Sequence, residues 1–413
     1  MTAPAESGRP AGPLSGIRVI DMTTVLMGPY ASQMMGDMGA DVIKVEAPEG
    51  DLIRQIGPAR HDGMGPIYLN ANRSKRAITL DLKRPEGRAA LLRLCEGADV
   101  LVCNVRAKAM KRLGLAYEDV AAVNPRLVYA GMYGYGQDGP YAARPAYDDL
   151  IQGGAALPYL FAQVNDGKPR YVPSAIADRV VGLAAVGAIL AAIIDRGRTG
   201  LGQKVEIPMF ETMVSVVMGD HLGGLTFEPP LDGGGYRRHL SPGRRPYQTS
   251  DGYICALIYT DSHWQRFFAA IGRPEMPAAD PRFHTFASRM ANVNEVYDEL
   301  SAILLTRTSA DWIALLDEAD IPVMPMHDLE SLLRDPHLVE TGFFQMADHP
   351  SEGRIRTMAV PSKWSRSAVG PSRHAPLQGE HSTEILREAG FTAEEIAALV
   401  AGGVVTCAPG AAV

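Results

Sequence analysis

Arg18 to Glu46, RVIDMTTVLMGPYASQMMGDMGADVIKVE, decides the fold. RVID (Arg18–Asp21) is a β-branched run, Pro29 to Met38 carries apolar residues at helical spacing, and DVIKVE (Asp41–Glu46) is a second strand-like run. Strand, helix and strand in that order predict a βαβ unit, because parallel strands need a helical crossover. The alternation continues outward. Ala77 to Leu82 (AITLDL) is strand-like, Pro85 to Gly97 helical, Asp99 to Val105 (DVLVCNV) strand-like and Tyr117 to Val123 helical, before a further strand at Leu127 to Met132 (LVYAGM). This order predicts an α/β fold with a Rossmann-like parallel sheet covered on both faces.

Beyond this region, Val180 to Ile194 is an apolar stretch interrupted only by Gly182 and Gly187. It falls short of the ~20 residues that a membrane span needs, so it reads as a buried core helix, with no membrane as partner. Residues 201–246 change character, with Gly-rich clusters and the basic segment YRRHLSPGRRPY, and read as a linker and active-site loop. A strand at Gly252–Tyr259 and helices at His263–Ile271 and Val293–Thr306 predict a smaller α+β domain over 247–325, and a last helix is expected at Thr392–Val400. Residues 1–14, MTAPAESGRPAGPL, lack the features of a signal peptide and read as a disordered leader.

The 413 residues are 46% apolar and 21% charged, a globular balance that predicts two or three structural units. A net charge of −7 argues against nucleic acid as a general partner, since phosphate neutralisation needs a basic surface. Four cysteines without a CxxC pair suggest neither a disulfide framework nor a thiolate metal site and fit a cytoplasmic location. The ten histidines show no HxxxH or HExxH spacing, so no metal is expected.

Gly134 to Gly139 matches GxGxxG after a strand, but Pro140 follows and no helix opens there, so it reads as a glycine-rich turn. Two basic groups stand near strand ends: Arg73, Lys75 and Arg76, and then Arg106, Lys108, Lys111 and Arg112. Each alone reads as a solvated face; together, at the turns of a parallel sheet, they suggest an anionic cofactor such as coenzyme A. Asp178, in PSAIADRVVG, immediately precedes the apolar helix. It reads either as a helix-start residue or as a carboxylate kept charged by the helix N-terminus.

The chain resembles the family III CoA-transferases, a group that also contains a methylacyl-CoA racemase branch. The likeness rests on LSGIRVIDMTTVLMGPYASQMMGDMGADVIKVE, NRSKRAITLDLKRPEGR, NPRLVYAGMYGYGQDGP, IADRVVG and RTGLGQKVEIPMFE. It implies that Asp178 is the catalytic nucleophile of a ping-pong transfer of CoA from an acyl-CoA to a free carboxylic acid. Coenzyme A would meet Val25, Met27, Asn72, Lys75, Arg76, Asn104, Arg106 and Arg112, and the substrate side would hold Leu26, Tyr147 and Asp148. The pattern departs at Leu26, Ala47 and Pro145, where formyl-CoA-transferring members carry glutamine, arginine and lysine. Arg244 and Arg245, in the segment matching a mobile glycine loop, are candidate partners for the distal carboxylate of a larger acid. The resemblance also implies an interlocked homodimer whose large domain joins residues 15–200 to 326–405. Two other readings stay open: a 2-methylacyl-CoA racemase, and a CoA-binding protein without catalysis.

Overall fold

The computed structural model describes residues 11–408. The chain divides into two compact units, the first formed by residues up to Ala155, Val172–Ser215 and residues from Val339 on, and the second by Ala156–Tyr171 and Val216–Leu338.

The first unit is built on a seven-stranded sheet. Its strands are β1 (Arg18–Met22), β2 (Asp41–Glu46), β3 (Lys75–Leu80), β4 (Val100–Cys103), β5 (Val128–Tyr133) and β6 (Lys204–Pro208), with a short last strand, Val405–Thr406. Their spatial order is Val405–Thr406, β3, β2, β1, β4, β5, β6. All pairings are parallel except that of Val405–Thr406 with β3. The β3-β2-β1-β4-β5-β6 order reverses direction between β1 and β4, and ligands of such sheets bind in the crevice outside the strands' carboxyl ends at that reversal. The turns after β1 and β4 are therefore the places to look for chemistry.

Both faces of the sheet are covered. On one, Ile20, Ile43, Ile78 and Leu101 pack with Leu91 and Leu94 of the Pro85–Glu96 helix, and with Ile385, Leu386 and Ile396 from helices Ser382–Glu388 and Ala393–Ala401. The chain's late segment thus completes the core begun by its early one. Elsewhere in the unit, helix α1 (Met27–Asp37) packs against the 24-residue helix Ile176–Thr199. A Cβ at Gly182 would press on the Met27 carbonyl oxygen and the Tyr30 ring, which explains one of the two glycines interrupting the apolar run.

The Ile176–Thr199 helix departs from the expected core helix. Ala177, Val181, Ala185, Ile189, Ala192 and Arg196 bury a single stripe, whereas Leu183 and Ile194 are 55% and 67% exposed. By length and composition alone it is also long and apolar enough to cross a bilayer. The expected linker also differs. Within 201–246, Lys204–Pro208 joins the main sheet beside β5 and Met209–His221 is a 13-residue helix, because Gly200 and Gly202 end one helix and turn the chain straight back into a strand. Of the expected leader, residues 1–10 lie outside the described residues. Residues 11–14 are packed, with the Leu14 N–H donating to the Met38 carbonyl at 2.9 Å.

The second unit holds a three-stranded antiparallel sheet, Tyr247–Gln248, Tyr253–Ala256 and Val323–Pro325, with helices Asp261–Ala270, Val293–Leu304 and Ser309–Glu318. Its core is aromatic, with Trp264, Phe267, Phe268, Phe283 and Trp312 packed together. Arg244 and Arg245 belong to this unit, where they line a cavity with Cys255, Leu257 and Met324.

Candidate active site

The turn after β1 is held by charges that the fold buries. Asp21 and Lys44 are paired neighbours on β1 and β2. The Lys44 ammonium donates to the Thr23 carbonyl at 3.0 Å and to Asp51 at 2.8 Å. The Lys75 ammonium donates to Asp21 at 3.0 Å, to the Pro29 carbonyl at 2.9 Å and to Asn72 Oδ1 at 2.8 Å. Burial alone would raise the Asp21 carboxyl, but Lys75, Lys44 and hydrogen bonds from Ser32 and Thr23 outweigh it and hold Asp21 at about 2. Burial lowers Lys75 to about 8, so both partners are charged at neutral pH.

This lattice forces an unusual turn. Val25 sits at φ +66°, where a β-branched residue is strained. Its N–H donates to Asp51 at 3.0 Å, while the preceding Thr24 exchanges two hydrogen bonds with Asn104 after β4: Thr24 N–H to Oδ1 at 3.1 Å and Asn104 Nδ2 to the Thr24 carbonyl at 2.9 Å. The two turns flanking the sheet's reversal are thus tied together. Leu26 then caps α1 without a side-chain hydrogen bond, leaving early N–H groups of the helix uncapped. A Cβ at Gly28 would overlap the Thr23 side chain. Gly28→Ala is therefore expected to lower stability by ~1–3 kcal/mol, the usual cost of overpacking; an unchanged urea midpoint would contradict the packing described.

A cavity of about 460 Å³ opens on these turns. Thr24, Val25, Leu26 and Met27 line it after β1, Asn104 and Arg106 after β4, and Tyr133, Gly134, Gln137 and Arg144 to Tyr147 after β5, with Met132, Ala142, Met209 and Asp178 completing the wall. Asp178 stands in the first turn of the Ile176–Thr199 helix. Its own N–H donates to Asp148 Oδ1 at 2.9 Å, and Asp148 is fixed in turn by Gln152 Nε2 at 2.6 Å. Burial is the main cause that pushes the Asp178 carboxyl up to about 7; the Asp148 charge adds to it and Arg179 opposes it. Arg179 is held over the Tyr30 ring of α1, 4.3 Å from its centroid. An acid titrating near neutrality in a cleft is the signature of a reactive group.

A second cavity, of about 650 Å³, shares Arg106, Gln137 and Ala142 with the first. It is lined by Lys108, Lys111 and Arg112 as well, all exposed. Among the described residues none of these cations, nor Arg106, makes an ion pair with an acid closer than 4 Å. A solvated cluster of four cations beside a reactive carboxylate suits a ligand with several phosphates.

The structure therefore brings together Val25, Leu26, Met27, Asn104, Arg106, Tyr147 and Asp178, with Asp148 behind Asp178 and Arg112 in the adjoining cavity. It does not bring Asn72, Lys75 or Arg76 there. Lys75 and Arg76 open β3, at the amino end of the strands and away from the crevice. Asn72 and Lys75 are fully buried and bonded to each other, and the Arg76 guanidinium is taken up by Asp41, Glu384 and Glu388. Their donors face inward. Glu46, which closes β2, is likewise consumed by Arg54 at 2.7 Å. Several wall residues escaped the sequence reading, among them Tyr133, Gln137, Arg144 and Met209. The signal for Gln137 and Arg144 was present, because GYGQDGPYAARP follows the carboxyl end of β5, where open parallel sheets bind ligands. No group of three or more His, Cys, Asp or Glu gathers as a metal site among the described residues.

The chain is similar over most of its length to known proteins. The model of CoA-transferase family III matches residues 14–382. The succinate–glutarate CoA-transferase of Agrobacterium fabrum is 34% identical over 384 residues, covering 91% of this chain and 95% of that protein. The succinyl-CoA:mesaconate CoA-transferase of Haloarcula hispanica is 33% identical over 397 residues, covering 92% and 97%. The crystal structure of Rv3272 from Mycobacterium tuberculosis superposes with a TM-score of 0.79 at 30% identity, covering 91% of this chain and 99% of that one. By the extent of the family match and by these relatives, the chain belongs to CoA-transferase family III.

Proposed function

We propose that the protein transfers coenzyme A from an acyl-CoA to a free carboxylic acid, with Asp178 as the nucleophile. The observation that carries this reading is a half-buried carboxylate, poised near neutrality, in a cavity that shares Arg106 with a neighbouring cavity lined by a cluster of unpaired cations. The cations Arg106, Lys108, Lys111 and Arg112 suit the diphosphate and 3′-phosphate of coenzyme A, and the adjoining cavity suits its thiol arm and the acyl group.

The steps balance without any added energy source. An Asp178 oxygen attacks the thioester carbonyl and expels the CoA thiolate, leaving a mixed anhydride. The thiolate attacks the Asp178 carbonyl carbon, releasing the donor acid and leaving an aspartyl-CoA thioester. The incoming carboxylate attacks that thioester and again expels the thiolate, which takes the new acyl group and frees Asp178. Each step makes one bond and breaks one, with thioester exchanged for thioester. The uncapped N–H groups at the start of α1 suit the developing oxyanions, since donors fixed in advance need no reorganisation.

The raised carboxyl gives a pH signature. Attack requires the charged form, so kcat/KM for the acyl-CoA is expected to rise with pH through a limb near 7, the value for the free protein. Asp148→Asn keeps an acceptor for the Asp178 N–H and removes the neighbouring charge, so its limb should move to lower pH. A limb unmoved by Asp148→Asn, or centred near the ordinary value of ~4, contradicts the assignment. The reading itself is tested by offering succinyl-CoA with glutarate and following glutaryl-CoA by chromatography, with hydroxylamine added to trap acylated protein. Neither exchange nor trapping, across a panel of other donors and acids, would sink it.

The exposed apolar side of the Ile176–Thr199 helix supports the further reading that a second copy covers it in a homodimer. An exposed, unpaired Cys255 fits a reducing cytoplasm.

A further inference from the structure

The Asp178 cavity holds more positive charge than a thioester and a single carboxylate need. Two guanidinium groups line it, Arg106 and Arg144. Arg106 is shared with the neighbouring cation-rich cavity; Arg144 lines the Asp178 cavity alone. Among the described residues Arg144 has no acid within ion-pairing distance. It is nevertheless held in place. Its guanidinium carbon lies 4.0 Å from the centroid of the Tyr141 ring, and the Arg144 backbone N–H donates to the Tyr141 carbonyl at 2.8 Å. Tyr141 meets Tyr135 edge-on at 5.5 Å, and Tyr135 packs on Phe210 at 5.8 Å. The same loop is tied at its start, where the Gly136 N–H donates to Glu211 at 2.9 Å. A ladder of rings thus supports an exposed, unpaired cation at the rim of a cavity lined by Leu26, Met27, Met132 and Met209 and by the polar Thr24, Asn104 and Gln137.

An acid acceptor brings its reacting carboxylate to the Asp178 thioester. A carboxylate elsewhere on the same acid loses hydrating water on entering the cavity; neutral polar groups offset that loss only in part, whereas a guanidinium meets the charge with two parallel N–H groups. We propose that Arg144 binds the distal carboxylate of a dicarboxylic acyl group and so determines the acid class this protein accepts. This rests on the transferase reading above.

The test compares glutarate with valerate, five-carbon acids differing only in the terminal carboxylate, in the full-length protein with saturating succinyl-CoA. In a ping-pong reaction kcat/KM for the acceptor is independent of the donor. Arg144→Ala should lower kcat/KM for glutarate by at least ~100-fold and leave valerate within about threefold. Arg144→Lys, which keeps the charge without the fork, should fall between. Equal losses for both acids, or no loss for glutarate, overturn the inference while the transferase reading stands. So does a loss confined to KM for succinyl-CoA and butyryl-CoA alike, which assigns Arg144 to the phosphates. A collapse of acid discrimination in Arg245→Ala with Arg144→Ala unaffected overturns it too, moving the role to the second unit. Transfer to neither acid by the unaltered protein, with no hydroxylamine-trapped adduct, removes the transferase reading and this inference together.

Discussion

Asp178→Asn is expected to lose CoA exchange by at least ~1000-fold and to melt several degrees higher than the parent protein at pH 8. The two effects share one cause. The fold raises the Asp178 carboxyl from its ordinary 3.8 to about 7, chiefly by burial and then by the charge of Asp148. Between those values the folded protein holds a proton that the unfolded chain has released, so stability falls as pH rises from about 4 to 7. Above 7 the folded state carries the full cost of a half-buried carboxylate. About three pKa units, at ~1.4 kcal/mol each, set a ceiling near 4 kcal/mol, and partial solvent access reduces it to ~1–3 kcal/mol. The amide of asparagine carries no charge to desolvate, and the backbone N–H bond to Asp148 is retained. Calorimetric melting at pH 5 and pH 8 checks the point: the gap between variant and parent should open with pH. A gap equal at both values would show that Asp178 is not held in its raised state. Parent-like exchange in the variant would remove it as nucleophile. A raised, half-buried carboxylate of this kind is kept at the expense of stability, a common trade at sites built for reaction rather than packing.

Much of this site was readable from sequence, and the parts that were not share a reason. β2 was bounded correctly at Asp41–Glu46, and β1 to within one residue, because β-branched runs closed by turns carry their own signal. Asp178 stands out locally only as a helix start, marked by the onset of an apolar run, and its reactive role is what the family resemblance implies. The basic residues before β3 were misread for want of two residues. With the strand expected at Ala77, Lys75 and Arg76 looked like a connecting turn; the strand begins at Lys75, so their side chains leave on opposite faces and both are buried. The interior charge lattice depends on register, which puts Asp21 beside Lys44, and on Lys75 reaching Asp21 from two strands away. No local pattern encodes such a meeting. Arg144 was missed for a different reason. Its loop reads as a glycine-rich turn because Pro140 follows the GxGxxG pattern and no helix opens there, although its place after β5 is the stronger clue.

Lys75→Met is expected to cost ~3–5 kcal/mol of stability and to leave KM for acyl-CoA unchanged in whatever fraction remains folded. The resemblance to the family placed Lys75 on coenzyme A, and there the loss would appear in binding. The structure gives its ammonium three internal acceptors and no exposure. Methionine keeps roughly the length of the side chain but deprives Asp21, itself fully buried, of the cation that most strongly offsets its burial. A buried charge left without its partner costs far more than the pair contributes, because desolvation is no longer offset. The loss is large against a total stability of ~5–15 kcal/mol. Removing both charges separates the two roles. If the pair is structural, Asp21→Asn combined with Lys75→Met should recover part of the stability lost by Lys75→Met alone, since no orphan carboxylate remains. Denaturation midpoints of the three variants, measured beside KM for succinyl-CoA, decide between them. A Lys75→Met protein with the parent's midpoint and a raised KM would return Lys75 to the cofactor, and would mean that β3 presents it to the crevice during turnover.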